Sequence, residues 1–277
     1  MNKKIKMILL SVVLLSVVSG CSEQKDAATE TLFSLTDKQV VFFGDSVTQN
    51  LEGKGKSYPD LISQKIGIQA VNLGFGGTSL STHPDPSFDS YAFHSLADAI
   101  VTDDFSAQEK ALSDADIPDY FDEKLKILKE INWNEVDVLS IMYGANDWGN
   151  HIENATNLMD ITTFKGAGRY SLNKIMTEYP HIQVLFVPMT YRFWPEYDNL
   201  DTDSSENAYG LRPYQYSDAM VELAKEFKFP YADTLHSLGI NKYNRGLYFN
   251  SVDGTHPNEA GTQKIADKIA KALLLNF

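Results

Sequence analysis

Short, wholly apolar runs alternate along this chain with stretches in which apolar residues recur every three or four positions. Val40–Phe43 is one such run, four apolar residues ending abruptly in Gly44-Asp45-Ser46. A short continuous run of this kind predicts a strand buried on both faces. Tyr58–Ile66 carries Leu61, Ile62 and Ile66 at helical spacing, and Ile68–Leu73 is a second strand candidate. Phe121–Ile131 predicts a helix, Val136–Tyr143 a strand, Leu172–Tyr179 a helix and Ile182–Pro188 a strand. Tyr214–Phe227 reads as an amphipathic helix, Phe229–Ala232 as a short strand, and Ala260–Leu274 as a closing helix with Ile265, Ile269 and Leu273 on one face. Strand and helix alternate throughout, which predicts an α/β domain with a parallel sheet and helices on both faces.

In such sheets ligands bind beyond the carboxyl ends of the strands. The first three runs end in Gly44-Asp45-Ser46, Gly74-Phe75-Gly76-Gly77 and Gly144-Ala145-Asn146-Asp147, and Asp253-Gly254-Thr255-His256-Pro257 precedes the last helix. Each block has a plain structural use. Asp and Ser cap helices and Gly permits tight turns. The glycines of the second block suit a loop with positive φ or close backbone approach. Asn146 suits an Asx cap, and Pro257 suits the first position of a helix. Each also has a chemical use. A serine at a helix start can present its Oγ to substrate and its N–H to a developing oxyanion. A glycine N–H from the second block and the Asn146 amide can supply further oxyanion donors. Gly74, Gly76 and Gly77 are all open for the glycine's part. Across a turn, Asp253 three residues before His256 can reach the imidazole Nδ1, fix its tautomer and leave Nε2 facing a serine. A turn by itself explains Gly254 and Pro257 but not the histidine.

The four blocks in this order resemble an SGNH hydrolase, the esterase and lipase superfamily also called GDSL hydrolases. The matching residues are Ser46 in "GDSVTQ", Gly77 in "NLGFGGTS", Asn146 in "YGANDW", and Asp253 with His256 in "DGTHP". The resemblance runs from about Lys38 to Leu274. It implies a flavodoxin-like three-layer α/β/α sandwich with a central, mostly parallel sheet. It implies a Ser46–His256–Asp253 triad, an oxyanion hole from Ser46, Gly77 and Asn146, and chemistry that needs no cofactor. Val47 stands where the usual pattern has Leu. The polar-aromatic stretch Thr78–Pro118 is absent from the family's minimal core and is expected to be an insertion that overhangs the site.

The N-terminus departs from globular patterning. Lys3, Lys4 and Lys6 precede Met7–Val18, an apolar run of 12 residues, too short for a membrane span of about 20. Val18-Ser19-Gly20-Cys21 follows and resembles a bacterial lipoprotein lipobox, which implies cleavage before Cys21 and its lipidation. Residues 1–20 are thus expected to be a signal peptide, 21–37 the lipidated Cys21 and a polar tether, and 38–277 the hydrolase domain. Cys21 is the only cysteine, so no internal disulfide forms. Residues 1–20 hold three lysines and no acids, so their removal takes the formal charge from −13 to −16. A surface this acidic argues against a nucleic-acid partner. It also leaves an acyl chain, not a basic patch, to hold the protein to a membrane.

The remaining candidates carry less. His83 and His94 lie near Asp85, Asp89 and Asp98, but their spacing fits no metal-ligand pattern and they read as solvated loop residues. His151, His181 and His236 stand alone and read as surface or capping residues. Trp148, Tyr191, Phe193 and Trp194 follow strand ends; Trp148 and Tyr191 are the residues expected to meet substrate, with packing over the core as the alternative. The expected activity is hydrolysis of a short acyl ester, acetyl foremost, on a carbohydrate or other small molecule at the extracytoplasmic face of a bacterial membrane. An O-acyltransferase would use the same residues with a sugar hydroxyl in place of water. A non-catalytic glycan-binding lipoprotein would have no need of an aligned triad. Turnover of an activated acetyl ester separates the binder from both enzymes, and product analysis with a sugar acceptor separates the enzymes from each other.

Overall fold

The computed structural model describes residues 35–50, 55–154 and 158–277. Its expected leader, Cys21 and most of the tether therefore lie outside the described residues. The chain runs β1 (Gln39–Gly44), α1 (Ser46–Gln49), α2 (Tyr58–Ile66), β2 (Gln69–Gly74), α3 (Pro86–Asp89), α4 (Phe93–Thr102), α5 (Ser106–Ala111), α6 (Tyr120–Glu130) and β3 (Val138–Met142). It continues through α7 (Ala145–Gly149), α8 (Phe164–Glu178), β4 (Gln183–Phe186), the two-residue strands β5 (Phe193–Trp194) and β6 (Leu200–Asp201), α9 (Pro213–Phe227) and α10 (Glu259–Asn276).

The four main strands form a parallel sheet in the order β2-β1-β3-β4, with helices on both faces. This is the three-layer α/β/α arrangement with a parallel central sheet that the resemblance implies. The alternation of side chains along β1 explains the two layers. Val41 and Phe43 point into one core, with Phe93 and Leu96 of α4, Leu125 of α6 and Met220 of α9. Val40 and Phe42 point into the other, with Tyr58 and Ile62 of α2 and Ile265 and Ile269 of α10. All four β1 side chains are fully buried, and each such burial stabilises the fold by about 1.5–3 kcal/mol.

Local chemistry sets the helix ends. Ser57 and Asp60 form a reciprocal capping box at the start of α2, and Gly67 closes the helix in the left-handed region at φ 76°. Asn258 caps α10 by accepting from the Gly261 N–H. Pro257 is therefore not the first residue of that helix; it lies before the cap, in a bridge with Phe249.

Two further expectations are corrected. Phe229–Ala232 forms no strand of its own. Its contact with the sheet is one bridge, Phe186 to Tyr231, held by Phe186 N–H to Pro230 O and Ala232 N–H to Phe186 O. With Pro230 in the segment, one N–H is missing from any ladder there. The stretch 78–118 sets the Phe88 ring against Gly77, but most of it belongs to the core rather than to a polar loop. It folds into α3, α4 and α5, and Tyr91, Phe93 and Leu96 are fully buried in the core, with the Phe93 ring 5.3 Å from that of Phe43.

Parallel register fixes where the site must be. Gly44 at the end of β1 lies opposite Gly74 of β2 on one side and Met142 of β3 on the other. The three loops after these strands leave the sheet at one level and side by side.

Candidate active site

Ser46 is delivered by a turn with almost no spare room. A Cβ at Gly44 would lie 2.0 Å from Thr48 Oγ1 and 2.8 Å from the Met142 carbonyl oxygen, so only glycine fits there. Asp45 caps α1, its Oδ1 accepting from the Val47 N–H at 2.9 Å. Asp45 is buried, which pushes its carboxyl up; the nearby Arg192 charge and the Val47 bond oppose that push. Ser46 itself is half-exposed, the first residue of α1.

The loop before α10 meets it. His256 Nε2 lies 2.9 Å from Ser46 Oγ, and His256 Nδ1 lies 2.9 Å from Asp253 Oδ2. Asp253 Oδ1 accepts from the Thr255 N–H at 2.7 Å and the His256 N–H at 3.0 Å. Burial works against ionising this carboxyl. The bonds from the His256 N–H and imidazole and from the Thr255 N–H outweigh it and hold Asp253 below the usual carboxylate range. The loop is fixed from outside by Phe193 N–H to Gly254 O at 3.0 Å and Asn250 N–H to His256 O at 3.0 Å. Gly254 has φ +67°, and a Cβ there would lie 2.3 Å from the Phe193 carbonyl oxygen, so the position excludes other residues twice over.

The second and third blocks border the same serine. Of the three candidate glycines, Gly74 gives its N–H to Asn72 Oδ1 at 2.9 Å and Gly76 gives its N–H to the Tyr120 hydroxyl at 2.8 Å. Gly77, at φ +86°, is half-exposed and its N–H has no acceptor among the described residues. Asn146 is no Asx cap. It sits within α7, and its Nδ2 donates to the Thr78 carbonyl at 2.7 Å, which leaves the second amide hydrogen unspent. The structure thus joins Ser46, His256 and Asp253 in one hydrogen-bonded chain, sets Gly76 against Ser46, and ties Asn146 to Thr78, the residue after Gly77.

The other predicted contacts divide. Trp148 is half-buried, donates its indole N–H to Leu211 O at 3.0 Å, and lies against Trp194 with ring centroids 4.6 Å apart. Tyr191 is corrected: it is 3% exposed and its hydroxyl donates to Asp201 Oδ2 at 2.8 Å, so it offers no face for stacking. His94 is also corrected, being 4% exposed and paired with Asp89 at 3.1 Å rather than solvated. His151, His181 and His236 are exposed.

Three residues near the site escaped the sequence reading. Asp147 is fully buried and accepts from the Leu80 N–H, the Ser81 N–H and the Ser81 hydroxyl, clamping the turn that carries Thr78. Its position beside Asn146 in "YGANDW" was the only available signal. Arg192 is buried; burial disfavours its charge, while the neighbouring Asp45 and Asp253 carboxylates favour it. Tyr120 had no signal, since the bond to Gly76 spans 44 positions.

A sequence profile of the GDSL-like Lipase/Acylhydrolase family matches residues 42–264. No curated protein sequence matches the chain. Several solved structures share the fold. A protein from Lactobacillus plantarum is 22% identical, with 87% of this chain and 99% of that one covered and a TM-score of 0.62. The native aryl esterase of M. smegmatis is 16% identical, with 87% and 100% covered and a TM-score of 0.54. The acetyl xylan esterase AlAXEase is 18% identical, with 85% and 99% covered and a TM-score of 0.52. The profile match takes in every residue from Ser46 to His256, so the chain belongs to the GDSL-like lipase/acylhydrolase family and is an esterase or acylhydrolase.

Proposed function

We propose that this protein is a serine ester hydrolase, tethered to a bacterial membrane through a lipidated Cys21, that removes short acyl groups, acetyl foremost, from a carbohydrate. The observation that carries the reading is the unbroken hydrogen-bonded chain from Ser46 Oγ through His256 to Asp253. Asp253 accepts a hydrogen bond from the Nδ1–H, so Nε2 is the free base. Ser46 Oγ attacks the ester carbonyl carbon as its proton passes to Nε2. The oxygen that becomes negative faces the N–H groups of Ser46 and Gly77 and the spare Asn146 amide hydrogen. Collapse breaks the bond to the alcohol, which leaves with the proton from His256, and Ser46 holds the acyl group. Water then gives a proton to His256 and attacks the acyl-serine; the acyl–Oγ bond breaks, His256 returns the proton to Ser46 Oγ, and the acid leaves.

The carbohydrate part of the reading draws on two observations. One fold neighbour is an acetyl xylan esterase. Beside Asn146, the paired indoles of Trp148 and Trp194 form a half-exposed aromatic edge suited to the apolar face of a sugar. The tether draws on the lipobox-like sequence before Cys21 alone.

The test is a p-nitrophenyl ester series of rising chain length on protein lacking residues 1–21, run beside an acetylated oligosaccharide. Acetyl is expected to give the highest kcat/KM and the oligosaccharide to release acetate. A kcat/KM that climbs from acetate to octanoate refutes the short-acyl reading.

A further inference from the structure

We propose that Tyr120 is a further catalytic residue, its phenol O–H a fourth donor to the oxygen that becomes negative when Ser46 attacks the ester. The proposal rests on Ser46 being the nucleophile.

Tyr120 opens α6, more than seventy positions from Ser46, yet its hydroxyl stands at the serine's side. The marker is Gly76. A Cβ built there would lie 2.7 Å from the Tyr120 hydroxyl and 3.5 Å from Ser46 Cβ. The phenol oxygen and the serine side chain therefore face the same side of the Gly76 backbone. The ring is held in place by Phe121, with centroids 5.0 Å apart at 66°.

The hydroxyl is also in the right hydrogen-bonding state. Its oxygen accepts from the Gly76 N–H at 2.8 Å, and its own hydrogen has no acceptor among the described residues. A hydroxyl that already accepts one bond is a better donor of the next. Burial and the Asp45 charge push the phenol up to about 12 despite the Gly76 bond, so the group stays protonated over the range in which a histidine base works. The neighbouring Gly77 N–H, also unspent, borders the same space. A neutral, half-buried donor beside that N–H meets negative charge only when the tetrahedral intermediate forms. Such a donor lowers the barrier without tightening ground-state binding.

Tyr120→Phe tests this, because it keeps the ring and deletes only the hydroxyl. With p-nitrophenyl acetate, kcat is expected to fall about ten- to a hundred-fold with KM held. The inhibition constant of phenylboronic acid, which forms a tetrahedral adduct on a serine, should rise in step. A second variant controls for the orphaned Gly76 N–H. Gly76→Ala crowds the Tyr120 hydroxyl and should cut kcat in the wild-type background but add little in Tyr120→Phe. The proposal is overturned by wild-type kcat and boronate affinity in Tyr120→Phe, by additive losses in the double variant, or by a kcat loss matched by losses of KM and thermal stability with boronate affinity intact. Ser46→Ala is assayed alongside: turnover surviving there sinks the parent reading, whereas a dead Ser46→Ala with an unaffected Tyr120→Phe sinks this proposal alone.

Discussion

Replacing Asp147 by alanine should damage stability and activity together. The carboxylate is fully buried and accepts from the Leu80 N–H at 3.1 Å, the Ser81 N–H at 3.0 Å and the Ser81 hydroxyl. Burial pushes this carboxyl up, against the pull of the Ser81 and Leu80 bonds, so the fold carries a desolvation cost to keep the clamp. Alanine leaves two backbone donors in the interior with no acceptor, while the serine hydroxyl can rotate away. An orphaned buried donor costs about 1–3 kcal/mol, so the pair costs roughly 2–6 kcal/mol. That is a large share of the roughly 5–15 kcal/mol that holds a typical domain together. At about 2–4 °C per kcal/mol for a chain this long, the melting temperature should fall roughly 4–24 °C. The clamped turn also carries the Thr78 carbonyl that holds the Asn146 amide at 2.7 Å. Turnover measured well below the melting temperature should therefore drop as the amide loses its anchor. Asp147→Asn keeps one acceptor and the shape, and should fall between wild type and alanine in both measurements. Urea unfolding followed by circular dichroism gives the first quantity and p-nitrophenyl acetate hydrolysis the second. An alanine variant within about 0.5 kcal/mol of wild type refutes the clamp; a destabilised variant with full turnover in the cold refutes its link to Asn146.

Ser46→Ala should abolish ester hydrolysis and leave the melting temperature nearly unchanged, because a half-exposed side chain at a strand end contributes little packing; a serine-reactive phosphonate followed by mass spectrometry should label Ser46 and no other serine. Asp253 is held below its ordinary value, so its ionised form stabilises the fold above the unfolded value of about 3.9, and that contribution is lost as pH falls through the folded value. Wild type should accordingly be more stable than Asp253→Asn at neutral pH and lose that margin in acid, and the variant should have a lower kcat/KM plateau than wild type though higher than His256→Ala; a stability margin that is flat from neutral pH to about 3 contradicts the hydrogen-bond account of Asp253. If Cys21 carries the proposed acyl chains, Cys21→Ser should move the protein from the membrane fraction to the soluble one, since acyl chains would dominate attachment of an acidic protein; unchanged fractionation refutes the proposed anchor.

The chain's own order determined a good deal. Val40–Phe43 is readable as a doubly buried strand because burial on both faces demands an unbroken apolar run. Ser46, Asn146 and the Asp253–His256 pair are readable because strand ends and turns are local, and because a carboxylate three residues from a histidine already lies within reach of it. Tertiary structure decided what depends on partners distant in sequence. Gly77 is singled out from Gly74 and Gly76 only by what the other two N–H groups meet, Asn72 in one case and Tyr120 in the other. Asp147 and Tyr120 matter through bonds that span 67 and 44 positions, and no periodicity encodes such a pairing. Tyr191 stood open between substrate contact and core packing, and His94 read as a solvated loop residue, until tertiary packing buried both; Phe229–Ala232 looked like a strand until its register left room for a single bridge. Hydrophobic spacing fixes which face of an element turns inward, but it carries no information about which other element waits there. That is settled only when the layers close and every buried N–H and carboxylate must find its partner.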